Sequence, residues 1–420
     1  MVRLRVPLAL LSAAAAALAA STMGVSATSV NPIVVDDSQL NPTTTTVGGA
    51  TPTTTTRTVQ NWFGQTTDPH NGVTYGYNMV GYDPSTNQSA TIGVDIIPLN
   101  ITVGGMSFNG SDRVAGVVDS PLFQNGSYTS TSAATDSTGG MGPGGKLSAK
   151  NTGVQLEDAT MRSQFNKVGT GYHLILGTPV VHDPITINVD SQHGTLLQSR
   201  RGIVYGDVNL NWFAADLQNL NSSLGYVDPT RLPLYVTSDV VLYVGTNPSN
   251  CCIIGFHGAG LVPGLGSGST SGSGNQAIQT YAWASWMTAG FFNPTHDWTL
   301  QDINAFSHEI AEWADDPFTN NTVEPWLTPT APQYGCTSLL ETGDPVVGIG
   351  FSQGTNSFDQ NAYTDGTYHP EDEVFLPWFM RTAPNLISQP TQTPSANVGR
   401  YTFMGDLNPF PGFQQPATGC

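Results

Sequence analysis

The chain has 420 residues, few charged side chains and a formal net charge of −18 at neutral pH. That length allows one large core or two to three smaller ones. The charge balance speaks against a nucleic-acid-binding surface and gives no basic patch for a membrane.

The amino terminus reads as an export signal over residues 1–27. Arg3 and Arg5 precede the apolar run PLALLSAAAAALAA, and Val25-Ser26-Ala27 is the preferred cleavage pattern over Ala17-Leu18-Ala19. No other stretch reaches the roughly 18 apolar residues of a membrane helix, so the mature chain is expected to be secreted or periplasmic, with no membrane anchor. Residues 28–58, rich in Thr with Gly and Pro, read as a linker. From residue 59 to 225 short alternating runs predict a β-rich region, with VTYGYNMVGY, SATIGVDIIPLNITV, YHLILG and ITINV as strands. LEDATMRSQFNKV and WFAADLQNLNSSLG predict helices, and residues 124–152 lack periodicity and predict a long loop. The second region, 226–420, opens with the strand patterns LPLYVTSDVVLYVG, CCIIGFHGA and QTYAWASWM. The expected class is α+β, a β-rich first half followed by a mixed half; the two regions either stand apart or form one domain.

Export makes the four cysteines legible as disulfides. Neighbouring cysteines rarely bridge each other, so Cys251 and Cys252 are expected to divide Cys336 and Cys420 between them.

Between Arg231 and Arg381 there is no lysine or arginine, yet that span holds fifteen acidic residues and six of the seven glutamates. Its centre is FSHEIAEWADDPF, residues 306–318. Thr299 and Asp302 resemble a capping box and Pro317 a stop, which predicts a helix over about 299–316. Ile303, Phe306, Ile310 and Trp313 form its apolar stripe. At about 100° per residue, His308 and Glu312 lie about 40° apart, flanked by Glu309 and Asp316 on an acidic arc away from that stripe. Glu312, Asp315 and Asp316 also crowd the carboxy-terminal turn, where the helix dipole disfavours negative charge and a cation would relieve it. A plain alternative is a solvated acidic face.

Ligands at i and i+4 of a helix can reach one metal ion, as in H-E-x-x-H zinc enzymes, and the glutamate between them then serves as general base. Here the string is His308-Glu309-x-x-Glu312, so zinc held by His308 and Glu312 with Glu309 as base is the expectation. Glu341, in LLETGDP, is the first choice for a third ligand, with Asp344 as an alternative ligand or an orienting group. His369, in TYHPEDE, is a rival that could ligate the metal or donate a hydrogen bond to a tetrahedral intermediate, as could Tyr368. His257 in GFHGAG reads as a packed strand-end histidine rather than a substrate contact. DQNAYTDG, residues 359–366, offers oxygens for a possible calcium ion but fails the EF-hand pattern at Tyr363.

SHEIAEWADDPF, LLETGDP and TYHPEDE resemble motifs of poorly characterised secreted bacterial proteins classed as zinc metalloprotease-like. That resemblance extends through CCIIGFHG and back to ATMRSQF and YHLILG, which covers most of the chain after the linker. SHEIAE followed by Glu-x-Gly-Asp is also similar to the plant EXORDIUM/phosphate-induced protein family, over little more than those motifs. The resemblance implies a shared metal site and a zincin-like second half.

Three functions remain open at this point. One is a secreted zinc hydrolase, in particular a metallopeptidase acting on extracellular polypeptides. Another is a wall-associated or binding protein that keeps the metal for structure. The third is a metal-free glycosidase using a pair of carboxylates from the acidic span.

Overall fold

The computed structural model describes residues 32–35, 43–47, 56–128, 134–135, 152–262, 277–295, 297–332, 335–383, 401–405, 411–413, 415–418 and 420. The export signal at 1–27, most of the linker at 28–58, most of the loop at 124–152, and His296 lie outside them.

A twelve-stranded mixed sheet organises the described chain, and with the helices it fits the expected α+β class. Its strands are β1 (Ile33–Val34), β2 (Thr43–Val47), β3 (Val94–Val103), β4 (Met106–Asn109), β5 (Val180–Val181) and β6 (Ile185–Val189). They continue with β7 (Gly194–Gln198), β8 (Val204–Asn209), β9 (Leu232–Ser238), β10 (Val240–Tyr243), β11 (Cys251–Val262) and β12 (Ala277–Trp286). The spatial order is β1-β7-β8-β10-β11-β12-β9-β3-β5, with β4 and β6 on β3 and β2 on β11. The boundary at 225/226 does not separate two sheets, because β9 lies parallel to β3 and β10 parallel to β8. Parts of the 28–58 stretch are strand as well: β1 pairs with β7 and β2 with β11.

Among the described residues five α-helices accompany the sheet: α1 (Val114–Val118), α2 (Leu156–Gln164), α3 (Leu210–Ser223), α4 (Asn304–Asp315) and α5 (Leu376–Phe379). Side-chain alternation along β11 and β12 gives the sheet two different faces. Phe256, Tyr281 and Trp283 join Phe213 and Leu217 of α3 in one core. On the opposite face Ala282 and Ala284 join Phe306, Ile310 and Trp313 of α4 in the other. Trp313 Nε1 donates to Thr280 Oγ1 at 2.9 Å, which pins α4 to β12.

The predicted capping box does not form. α4 begins at Asn304 after Ile303, with no side-chain cap. Thr299 Oγ1 donates instead to the Gly348 carbonyl, and Asp302 holds His369. Nor is there a solvated acidic face, since all twelve residues of α4 are buried. A helix buried all round needs cover on its polar side too, and the 341–344 and 371–373 segments supply it.

The cysteine pairing also differs from expectation. Cys336 bridges Cys420, with Cα atoms 6.1 Å apart, and Cys251 is joined to Cys252 across a cis peptide bond. The long bridge follows from how the carboxy-terminal segment docks. Phe413 and Trp326 both pack on Trp378, the Ala417 N–H donates to the Trp378 carbonyl, and Leu327 pairs with Cys336 across a short ladder. No helix among the described residues is long and apolar enough to cross a membrane.

Candidate metal centre

α4 presents His308, Glu309 and Glu312 at 0, 0 and 1% exposure. The helical period sets their division of labour. Taking His308 as zero, Glu312 lies at about 40° and Glu309 at about 100°, so Glu312 stands between the other two.

His308 points toward the loops. Its Nδ1 lies 3.1 Å from Glu371 Oε2 and its Nε2 3.0 Å from Glu312 Oε1, with Asp344 Oδ1 at 3.8 Å from Nε2. Glu312 Oε1 accepts the Gly343 and Asp344 N–H groups at 3.2 Å each, which fixes the 341–344 turn against the helix. Glu309 points toward the sheet. Its Oε2 is 3.3 Å from Nδ1 of His257, which is also 3.5 Å from Glu312 Oε2. The strand leaves room because Gly255 and His257 pair across from Ala284 and Ala282. A Cβ at Gly255 would stand 2.5 Å from Glu309 Oε1.

Two groups of three converge here. One ligand atom from each of His308, Glu309 and Glu312 lies within 4.8 Å of the others, and the same holds for His257, Glu312 and Glu341. Thus Asp344 falls on the His308 side and Glu341 on the His257 side. Asp344 carries the most exposed side chain of this set, at 27%.

Burial and mutual charge decide the titration of these groups. Burial alone would raise the Glu312 carboxyl, but His308 and His257 outweigh it and hold it well below its ordinary range. Burial disfavours charge on the histidines, yet Glu309 and Glu312 lift His257 to about 10, and Glu312 and Glu371 lift His308 well above its usual value. Burial pushes Glu309 up to about 8. Glu341 is driven well above the ordinary range, first by burial and then by Glu312, Asp316 and Asp344. Neither of its oxygens has a hydrogen-bond partner.

Other predicted residues serve elsewhere. His369 is not brought into this group: Asp302 Oδ2 lies 2.7 Å from its Nδ1, Asp365 Oδ1 lies 3.5 Å from its Nε2, and Trp298 packs edge-on against the ring. Tyr368 is buried against Trp286. Asp315 accepts from Gln164 Nε2 at 2.6 Å, and Asp316 from the Asn320 and Asn321 N–H groups. Both helix-end acids are thus satisfied without a cation. In the 359–366 loop, Asp359 accepts from the Ala289 N–H, which ties the loop to the segment after β12, and Asp365 accepts from the Thr367 N–H and hydroxyl, so the two carboxylates have separate partners. His257 and Glu371 are the members that the sequence reading left out. The signal for His257 was its setting, since glycines inside a strand mark a close approach of other groups.

No protein-family profile, curated protein or solved structure matches the chain.

Proposed function

We propose that this chain is a secreted zinc-dependent hydrolase, a metallopeptidase acting on extracellular polypeptides, with the ion held by His308 and Glu312 and with Asp344 at its solvent side. One observation carries the metal assignment. Both ring nitrogens of His308 face carboxylates, Glu371 at 3.1 Å and Glu312 at 3.0 Å. A neutral imidazole donates from only one nitrogen. The second contact therefore requires either another proton or a cation, and five carboxylates around two histidines favour the cation. The donor set of imidazole and carboxylate suits zinc.

The Nδ1 contact is the arrangement in which a carboxylate orients a metal-binding histidine and raises its basicity. It leaves Nε2 for the ion. Zinc at this place would supply Lewis acidity and would lower the pKa of water toward ~7. Glu309, a buried carboxylate whose Oε1 has no partner, is the group to take and return a proton. In this reading α4, with β11 and β12 beneath it and the 341–344 and 371–373 segments over it, is the zincin-like part of a sheet shared with the first region.

Near-complete burial favours one other reading, a structural ion with no room for substrate. The two separate by experiment. Metal analysis of the purified chain, with a His308→Ala, Glu312→Ala double variant beside it, tests the ion; Glu309→Gln assayed on denatured polypeptides tests the chemistry. Zinc in the wild type and in Glu309→Gln, with hydrolysis only in the wild type, supports the hydrolase. Zinc without hydrolysis in either leaves the structural reading, and a wild-type chain that takes up no zinc defeats both.

A further inference from the structure

Glu312 offers its two oxygens to two different histidines. Oε1 lies 3.0 Å from Nε2 of His308, and Oε2 lies 3.5 Å from Nδ1 of His257. The histidines come from different layers, one from helix α4 and one from strand β11. A carboxylate placed this way is laid out as a bridge rather than as the ligand of a single ion.

The contents of the His257 side point the same way. Glu341 is 4% exposed and accepts no hydrogen bond on either oxygen, although a buried carboxyl ordinarily finds donors. It converges with His257 and Glu312 to within 4.8 Å. The 3.5 Å separation of His257 Nδ1 from Glu312 Oε2 is long for a direct N–H···O bond. It is close to the edge of a tetrahedron built on zinc–ligand bonds, roughly 3.4 Å.

Charge supplies a third argument. Glu309, Glu312, Glu341, Asp344 and Glu371 surround two histidines, and no lysine or arginine occurs between positions 231 and 381. With all five ionised, one divalent ion would offset about two of them and a pair about four.

We infer that the cluster is a two-ion centre, in which a second divalent cation is held by His257, Glu312 and Glu341 beside the ion at His308, with Glu312 bridging the two. This rests on the reading of His308 and Glu312 as metal ligands. It deepens that reading by assigning His257 and Glu341 to a separate ion and leaving Glu309 for the proton. Paired ions about 3.5–4 Å apart are a recurrent hydrolytic arrangement, one clamping the attacking oxygen and the other the leaving or carbonyl oxygen.

The test is zinc stoichiometry on the full purified chain after equilibration with zinc and removal of excess, for the wild type, Glu341→Gln and His308→Ala. Two zinc ions per wild-type chain, falling to one in Glu341→Gln, is the expected result. One zinc in the wild type, kept in Glu341→Gln and lost in His308→Ala, overturns the second ion while sparing the first. Two zinc ions retained in Glu341→Gln also overturns it, since the second ion then lies elsewhere. No zinc in the wild type sinks both readings. X-ray absorption at the zinc edge needs no variant: a metal–metal distance of about 3.5–4 Å supports the pair, and its absence from a zinc-loaded chain overturns it.

Discussion

Gly343 lies against the imidazole of His308 so closely that a Cβ at position 343 would stand 2.4 Å from Nδ1. The backbone there has φ −86°, a value open to any residue. Glycine is required at this position by the histidine, not by the turn. It is the absence of a side chain at 343 that lets the ring reach Glu371 with one nitrogen and Glu312 with the other.

Gly343→Ala is therefore expected to act on the site first and on stability second. The ring would have to move by more than a rotamer's tolerance, and the N–H of 343 would leave Glu312 Oε1. Overpacking of this kind costs about 1–3 kcal/mol. Zinc content should fall while circular dichroism stays near wild type. An alanine variant that binds zinc as well as wild type would show that His308 does not need its present position.

Glu371 gives a milder probe of the same ring. Glu371→Gln keeps the shape but removes the charge beside Nδ1, so the imidazole loses basicity and its fixed tautomer. Loss of such an orienting carboxylate typically lowers metal affinity 10–100-fold. Titration against a chelating zinc dye should show that drop. An unchanged affinity would mean that His308 is positioned by packing alone.

These two residues show which parts of the site sequence could disclose. His308, Glu309 and Glu312 were legible because helical period is local: spacing alone puts Glu312 between the other two. His257 was not, since it joins them only when β11 passes beneath α4, and fifty-one positions of chain carry no spacing rule. Glu371 was hidden for the same reason, although it stands two residues from the His369 that was singled out. The strands were legible by alternation, but not their order, because pairing β3 with β9 depends on contacts across more than a hundred residues. The capping box failed where a local pattern met a stronger tertiary demand, Asp302 being drawn to His369 at 2.7 Å.

The Cys336–Cys420 bridge closes a sequence separation of 84 residues. On the chain-entropy account a loop of that size is worth on the order of 4 kcal/mol. Cys336→Ser with Cys420→Ser should therefore lower the urea midpoint strongly, and reduction of the wild type, which also opens Cys251–Cys252, should lower it at least as far. His308 and Glu312 of the proposed centre lie on α4, apart from the bridge, so zinc at that pair should persist in the folded fraction. A midpoint unmoved by the double change would show that docking of Phe413 and Ala417 on Trp378 suffices to hold the carboxy terminus.

Asp207 on β8 isolates what an unpartnered buried carboxyl does to stability. It is fully buried, neither oxygen has a hydrogen-bond partner, and burial pushes its pKa from 3.8 up to about 9. The folded chain then holds a proton that the unfolded chain releases above its ordinary pKa. At pH values below about 4 both states are protonated and the group costs nothing; the stability present there is lost progressively as pH rises toward 9. Each unit in that window removes about 1.4 kcal/mol, so the sum at pH 7 is on the order of 4 kcal/mol. Asp207→Asn cannot ionise in either state. The gap between the variant's unfolding free energy and that of the wild type should widen in the variant's favour from pH 4 to pH 8. Parallel pH profiles for the two proteins would mean that Asp207 is ionised in the fold and finds a counter-charge there.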